Sequence, residues 1–194
     1  MSAYRQAIDR KVAAHEAHLL LQNDFLILDT ETTGIDRAAR IVQIAVVDAS
    51  GQPAIDTLIN PGMRIPADAT RIHGITNAMV KEAPSMADLL PSLESLWSTR
   101  PTYIYNAEFD VRMLLQHIGR RPGMMRSTCV MKLYARFVGQ TGSYGDYKWH
   151  KLTDACTQLR IPKIDAPAHS ALGDCLRTLA VLRAMSEWYV RNSA

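Results

Sequence analysis

The sequence predicts an α/β domain in which helices pack on a mixed β-sheet. Three strand-like segments, at 24–30, 40–50 and 54–60, are rich in aliphatic residues and follow one another closely. The second and third are joined by a short glycine-containing connection that is typical of a β-hairpin. A further strand-like segment at 101–106 then alternates with helical segments. Consecutive strands followed by strand–helix units are typical of a mixed sheet covered by helices.

Hydrophobic periodicity indicates helices before, between and after these strands. The first covers 3–22, where apolar residues recur at roughly helical spacing. In the helix near 106–119, Asn106 is expected to cap the N-terminus, and Gly119 is a typical residue at which a helix ends. The other predicted helices lie near 67–73, 76–81, 85–97, 127–139, 151–159 and 170–190.

Length and composition predict one domain, which we place over 23–194, with the first helix as an N-terminal extension over 1–22. No apolar run reaches the roughly 18–20 residues of a membrane span, and the charged N-terminus lacks the apolar core of a secretory signal. The three cysteines form no CxxC pair, which argues against a disulfide framework or a cysteine-rich zinc site. These features predict a cytoplasmic protein. The net charge of +3 is compatible with a polyanionic partner.

Two acidic residues, Asp29 and Glu31, stand at the end of the first apolar strand. Side chains two apart in a strand share a face, so both carboxylates are expected to point the same way. Carboxylates at the end of a buried strand cost free energy unless a cation neutralises them. On their own, the two acids are equally compatible with a strand end that faces solvent.

A second acidic cluster, NAEFD, occupies 106–110. If Asn106 is the N-cap, Asp110 takes the fourth helical position, where the positive end of the helix dipole favours an ionised carboxylate. Ordinary capping chemistry also explains this cluster when it is taken alone.

A third cluster, HSALGD, occupies 169–174. His169 and Asp174 are five residues apart, about 140° around a helix, so they cannot share a helical face. The pattern therefore predicts that Ser170 caps the last helix, that His169 precedes it on the loop, and that Asp174 takes the fourth helical position. A lone histidine is otherwise most often a satisfied structural residue.

Taken together, the three clusters indicate a metal site, which none of them indicates alone. Four carboxylates near the mouth of one sheet repel each other, and two divalent hard cations offset four negative charges. Oxygen ligands suit Mg²⁺ or Mn²⁺, and two such ions can clamp the attacking and leaving oxygens of a phosphodiester. Histidine is the residue type that exchanges protons near neutral pH, so His169 can accept a proton from the attacking water.

The ordered motifs resemble those of the DEDDh family of 3′→5′ exonucleases, which includes the proofreading epsilon subunit of bacterial DNA polymerase III. The resemblance extends from about Phe25 to the last helix and rests on DTETTG at 29–34, IHGIT at 72–76, NAEFD and HSALGD. It implies an RNase H-like fold with a mixed five-stranded sheet, and hydrolysis of DNA or RNA from the 3′ end to nucleoside 5′-monophosphates.

The resemblance also implies roles for single residues. Asp29, Glu31 and Asp174 would bind one Mg²⁺ or Mn²⁺ ion, Asp29 would bridge to a second, Asp110 would hold that second ion, and His169 would be the general base. The residues expected to surround the terminal nucleotide are Thr30, Thr32, Thr33, Gly34, His73 and Asn106.

The chain departs from the family pattern in three places. Tyr105 stands where many members have a histidine before the Asn-Ala pair. The long C-terminal tail by which the replicative epsilon subunit engages its polymerase is missing, so a dedicated replisome role is not expected. The helix over 3–22 is additional, and we expect it to pack against the domain rather than to contact a partner. The oligomeric state is left open between monomer and homodimer.

An aromatic and basic loop, SYGDYKWHK at 143–151, is a candidate border of the substrate strand. Stacking on Tyr144 and Tyr147 would hold unpaired bases without sequence preference. The alternative is that Trp149 anchors the loop on the core.

DNA is the favoured substrate, as single-stranded or frayed 3′ ends in repair or proofreading, because DTETTG and HGIT resemble the DNA-directed relatives. The alternatives are an exoribonuclease that trims RNA and a non-catalytic nucleic-acid-binding scaffold of the same fold. The intact set of four acids and His169 argues against the scaffold.

Overall fold

The computed structural model describes residues 2–119, 125–143, 145–166 and 169–193. Within these ranges, five strands form one mixed sheet in the order β3-β2-β1-β4-β5. β2 pairs antiparallel with both β1 and β3, whereas β1, β4 and β5 run parallel. The α/β prediction, the five-stranded mixed sheet and the β2–β3 hairpin are therefore confirmed. The strands are β1 (Leu26–Thr32), β2 (Ile41–Asp48), β3 (Pro53–Leu58), β4 (Thr102–Ile104) and β5 (Ser127–Cys129).

Helices cover both faces of the sheet. α4 and α5 pack on one face, and α1, α6 and α8 pack on the other. The helices are α1 (Ala3–Leu20), α2 (Ala67–His73), α3 (Asn77–Val80), α4 (Met86–Thr99), α5 (Ala107–Ile118), α6 (Val130–Val138), α7 (Leu152–Gln158) and α8 (Ala171–Asn192). None of the described helices is long and apolar enough to cross a membrane.

The central strand β1 contributes to two separate cores. Ile27 packs in the core on the α8 side, whereas Leu26 and Leu28 pack in the core on the α5 side. Because side chains alternate along a strand, Asp29 and Glu31 follow Ile27 onto the α8 side, and Thr30 faces α5. Side chains at the end of β1 can therefore contact residues of α8 on one face of the sheet and residues of α5 on the other.

One local prediction was wrong, and a second was confirmed only in part. The segment predicted as a helix over 127–139 begins with the three-residue strand β5, and its helix starts only at Val130. Three residues are too few to show a period of two, so pairing with β4 decides their conformation. Asn106 does occupy the N-cap position of α5, but it is left-handed, with a φ of 67°, and its side chain makes no capping hydrogen bond.

The N-terminal helix α1 packs through its alanines. Ala13, Ala14 and Ala17 are fully buried against the layer of α6 and α8. The larger apolar side chains that recur at helical spacing along α1, such as Tyr4 and Val12, form a stripe that is exposed instead. The prediction that α1 packs on the domain is confirmed, but small side chains make the contact because they let the helices approach closely.

Candidate active site

Three carboxylates converge at the end of β1. Asp29 and Glu31 project from the strand, and Asp174 projects from the first turn of α8. One oxygen from each lies within 4.8 Å of the others, and all three side chains are half-buried. Several carboxylate oxygens at this spacing are the ligand set that a hard divalent cation prefers. The structure thus brings together three of the four predicted metal ligands.

Asp110, the fourth predicted ligand, approaches from the opposite layer of the sheet. It occupies the first turn of α5, is only 3% exposed, and accepts a hydrogen bond of 2.7 Å from the Thr30 hydroxyl. It is close enough to Asp29 for its charge to raise the pKa of that carboxyl. Asp110 therefore lies next to the three-carboxylate group, and the Thr30 side chain orients it.

The crowded carboxylates hold their protons more tightly than exposed ones. Burial, followed by the charges of Asp110, Asp174 and Glu31, raises the pKa of Asp29 well above its usual value. Burial and neighbouring charges raise the pKa of Glu31 to about 8, and burial raises that of Asp110 to about 7. Burial and mutual repulsion therefore destabilise the ionised carboxylates, and a bound divalent cation would stabilise them.

His169 lies on the loop before α8, as predicted. Its side chain is exposed, its backbone is left-handed with a φ of 57°, and it shares a cavity wall with Asp174. The Ser170 side chain caps α8 by accepting the backbone N–H of Gly173 at 3.2 Å. His169 is not part of the three-carboxylate group, whereas Asp174 belongs to it and is fixed on the helix.

Arg177 is a component of the site that sequence reasoning missed. Its guanidinium donates to Asp174 Oδ1 at 3.0 Å and to the Ala166 carbonyl at 2.8 Å. Burial raises the pKa of Asp174, and the Arg177 charge opposes that rise. The signal was present in the sequence, because residues three apart on a helix are neighbours and Arg177 follows Asp174 by three.

The segment after Glu31 is held mainly by its own backbone and hydroxyls. Thr32 donates to the Gly34 carbonyl at 2.7 Å, and the Thr33 hydroxyl accepts the Arg40 N–H at 2.9 Å. A Cβ at Gly34 would meet only the Ala39 side chain, at 4.0 Å. Local packing therefore does not require a glycine at position 34.

Two other predicted substrate residues border the site from separate elements. His73 ends α2, and its Nδ1 accepts the Ile75 N–H at 3.0 Å, which leaves the proton on Nε2. The buried Nε2 makes no hydrogen bond of ordinary geometry with the described residues; burial lowers the pKa of the ring, and a contact with the Thr32 backbone opposes that lowering. Asn106, before α5, lines the same cavity as His169.

The aromatic loop is held in place by Tyr147 and His150 and not by Trp149. Tyr147 donates to Asp9 on α1, and His150 is buried, with an exposed fraction of 6%. Trp149 is 52% exposed, so the alternative that it anchors the loop on the core is wrong. Tyr144 lies outside the described residues.

Comparison with known proteins gives consistent matches. The profile of the RNase_T exonuclease family matches residues 26–182. The chain is 37% identical over 191 residues to the uncharacterised exonuclease CP81 of Escherichia phage 186, with 93% of this chain and 97% of that protein covered. It is 30% identical over 162 residues to a DNA polymerase III subunit epsilon-like protein of Rhodobacter capsulatus, covering 79% of this chain and 22% of that protein.

Among solved structures, the chain is similar to Exonuclease X in complex with 5′ overhanging duplex DNA. The TM-score is 0.64 and the sequence identity 30%, and the match covers 84% of this chain and 92% of that chain. The similarity thus extends over most of both proteins.

Proposed function

Because this chain belongs to the RNase_T family of DEDD exonucleases, we propose that it is a 3′→5′ exodeoxyribonuclease that releases nucleoside 5′-monophosphates. The family depends on divalent metal ions. The observation that carries the proposal is the convergence of Asp29, Glu31 and Asp174, with ligand oxygens within 4.8 Å of one another. His169 lies exposed beside them.

The four acids fit two divalent ions, Mg²⁺ or Mn²⁺. Asp29, Glu31 and Asp174 would hold one ion, and Asp110 with Asp29 would hold the other. Bound ions of this kind stabilise the charge that develops on phosphodiester oxygens and lower the pKa of bound water. The raised pKa values of the metal-free acids support this assignment, since the added positive charge relieves their mutual repulsion.

The remaining residues orient the substrate and move a proton. His169 accepts the proton of the attacking water, because it is exposed next to Asp174 and is not one of the three clustered ligands. The terminal nucleotide lies against the backbone of Thr30 to Gly34. The His73 ring lies near the Thr32 backbone and His169, and we propose that it borders the same nucleotide.

DNA is the proposed substrate, as single-stranded or frayed 3′ ends, and repair or proofreading is the proposed setting. The similarity to Exonuclease X, which was solved with 5′ overhanging duplex DNA at 30% identity to this chain, supports DNA. We also propose that residues 1–22 are a helical extension of an exonuclease domain over 23–194. The buried alanine face of α1 makes that extension part of the packed structure.

The experiment that tests the proposal follows the shortening of labelled oligonucleotides. Purified protein with Mg²⁺ or Mn²⁺ is incubated with 5′-labelled DNA or RNA of the same sequence. The expected result is a ladder of DNA products shortened from the 3′ end, which Asp29→Ala abolishes. Faster shortening of RNA would make the protein an exoribonuclease, and cleavage of neither, or activity that survives Asp29→Ala, contradicts the proposal.

A further inference from the structure

We propose that a cavity beside His169 is a stacking subsite for a nucleobase, with Trp149 as its platform. The inference rests on the proposed function, because it names how the same site grips its substrate strand. The cavity has a volume of about 380 Å³. Its lining includes Tyr105, Asn106, Met131, Trp149, His169 and Asp174.

The position of the cavity connects it to the chemistry. His169 and Asp174 form part of its wall, and the proposed function assigns proton transfer and metal binding to these two residues. A group that fills the cavity is therefore a direct neighbour of the reacting phosphodiester. In a nucleic acid strand, each phosphate joins two sugars, and each sugar carries a base. An apolar wall selects the base, and Met131 and Leu152 supply that wall here.

The Trp149 ring is presented to solvent by a firmly held backbone. The adjacent His150 is 6% exposed, and its carbonyl accepts a hydrogen bond of 2.9 Å from the Tyr105 hydroxyl. Trp149 itself remains 52% exposed. The exposed half of this apolar ring contributes no burial to folding, and an aromatic platform of this kind stacks bases of any sequence.

One lysine lies beside the ring, and two others adjoin it along the chain. The Lys132 ammonium lies 5.6 Å from the Trp149 ring centroid and pairs with Glu108, which helps to hold the ring in place. Lys148 and Lys151 flank the same stretch of chain, and both are exposed. An aromatic face with neighbouring ammonium groups matches a ligand with a planar ring and a phosphate, the chemistry of a nucleotide.

The test measures how much the bases of the strand contribute to binding. One 5′-fluorescein-labelled single strand carries all its bases, and a second carries abasic sites at its three 3′-terminal positions. Binding is followed by fluorescence anisotropy with Ca²⁺, which carboxylate oxygens also coordinate, and the strands are checked for intact length. The variants are Trp149→Ala, Trp149→Phe and, as a matched control, Tyr4→Ala, because Tyr4 is an exposed aromatic residue on α1.

The wild type is expected to bind the strand with bases about 5- to 150-fold more tightly than the abasic strand, the range for stacking of one base. Trp149→Ala is expected to remove most of this preference by weakening binding of the strand with bases, Trp149→Phe to keep part of it, and Tyr4→Ala to keep all of it. An unchanged preference in Trp149→Ala overturns the subsite. Failure of the wild type to shorten any oligonucleotide with Mg²⁺ instead contradicts the proposed function, so the two failures are distinguishable.

Discussion

Arg177 donates a hydrogen bond of 3.0 Å to Asp174 and a second of 2.8 Å to the Ala166 carbonyl. The side chains of the ion pair are only 13% and 20% exposed, which limits screening by water. One guanidinium therefore links the proposed metal ligand on α8 to the loop that leads to His169. Its two contacts fix both the orientation of the carboxylate and the path of the loop.

The first prediction concerns this link. Arg177→Ala is expected to lower kcat by about 10- to 100-fold at saturating Mg²⁺, because small displacements of catalytic groups cost rates of this order. Arg177→Lys keeps the charge but not the two-pronged geometry, so it should restore activity only in part. Steady-state kinetics and Mg²⁺ titration by calorimetry separate the effect on rate from that on metal affinity.

A matched control for Arg177 is available on the same helix. Arg183 also binds backbone carbonyls through its guanidinium, those of Ala49 and Ser50, but it contacts none of the acids of the site. Arg183→Ala should leave kcat unchanged. Equal losses in the two variants would mean that Arg177 stabilises α8 in general and does not position Asp174.

The second prediction separates the general base from the metal ligands. His169→Ala is expected to lower kcat by a factor on the order of 10²–10⁴, the usual contribution of general acid–base catalysis, while Mg²⁺ binding persists. Calorimetric titration of the variant with Mg²⁺ provides the second readout. A parallel collapse of metal affinity would make His169 a ligand.

The third prediction follows from the pKa of Glu31, which burial and the charges of Asp174 and Asp110 raise to about 8 from an ordinary value of 4.5. Between these two values, the folded protein retains a proton that the unfolded chain has lost. This contribution to stability is complete below pH 4.5 and disappears as the pH rises through about 8. The Tm in EDTA should therefore fall as the pH rises from 6.5 to 9.

Two comparisons test the role of Glu31 in that fall. Glu31→Gln should make the dependence of Tm on pH shallower, because an amide does not titrate. Added Mg²⁺ should raise the Tm of the wild type most at high pH, where the carboxylates are ionised and repel each other. A Tm in EDTA that follows the same pH curve in both proteins would contradict the assignment.

The fourth prediction concerns the way α1 packs. Ala14 is fully buried, so Ala14→Leu should overfill the contact and lower the free energy of unfolding by about 1–3 kcal/mol. Val12 lies on the exposed stripe, and Val12→Ala should change the free energy by less than about 0.5 kcal/mol. Urea unfolding of both variants measures the difference. The reverse order of effects would show that the apolar stripe, and not the alanine face, is buried.

The placement of the three clustered carboxylates follows from the sequence because helix capping and strand alternation are local. Ser170 before α8 places Asp174 in the first turn, and the i, i+2 spacing puts Asp29 and Glu31 on one face. Each of these relationships spans only a few residues. The ordered motifs then join them into a single site through the resemblance to known exonucleases.

The features that escaped prediction depend on contacts between distant segments. β5 is a strand only because it pairs with β4, and the exposure of Trp149 depends on how the loop after α6 is held. The burial of the alanine face of α1 also reflects the shape of the layer beneath it. Hydrophobic periodicity identifies a helix but does not show which of two weakly apolar sides is buried.

The left-handed backbones of Asn106 and His169 stand at the start of the two helices that carry Asp110 and Asp174. Their φ values are 67° and 57°, and an acid of the site follows four residues after Asn106 and five after His169. The positions of these two acids are thus set within the few residues that begin each helix. One residue inserted between Asn106 and Asp110, or between Ser170 and Asp174, would turn the acid by about 100° around its helix, so the spacing inside each motif is part of the site.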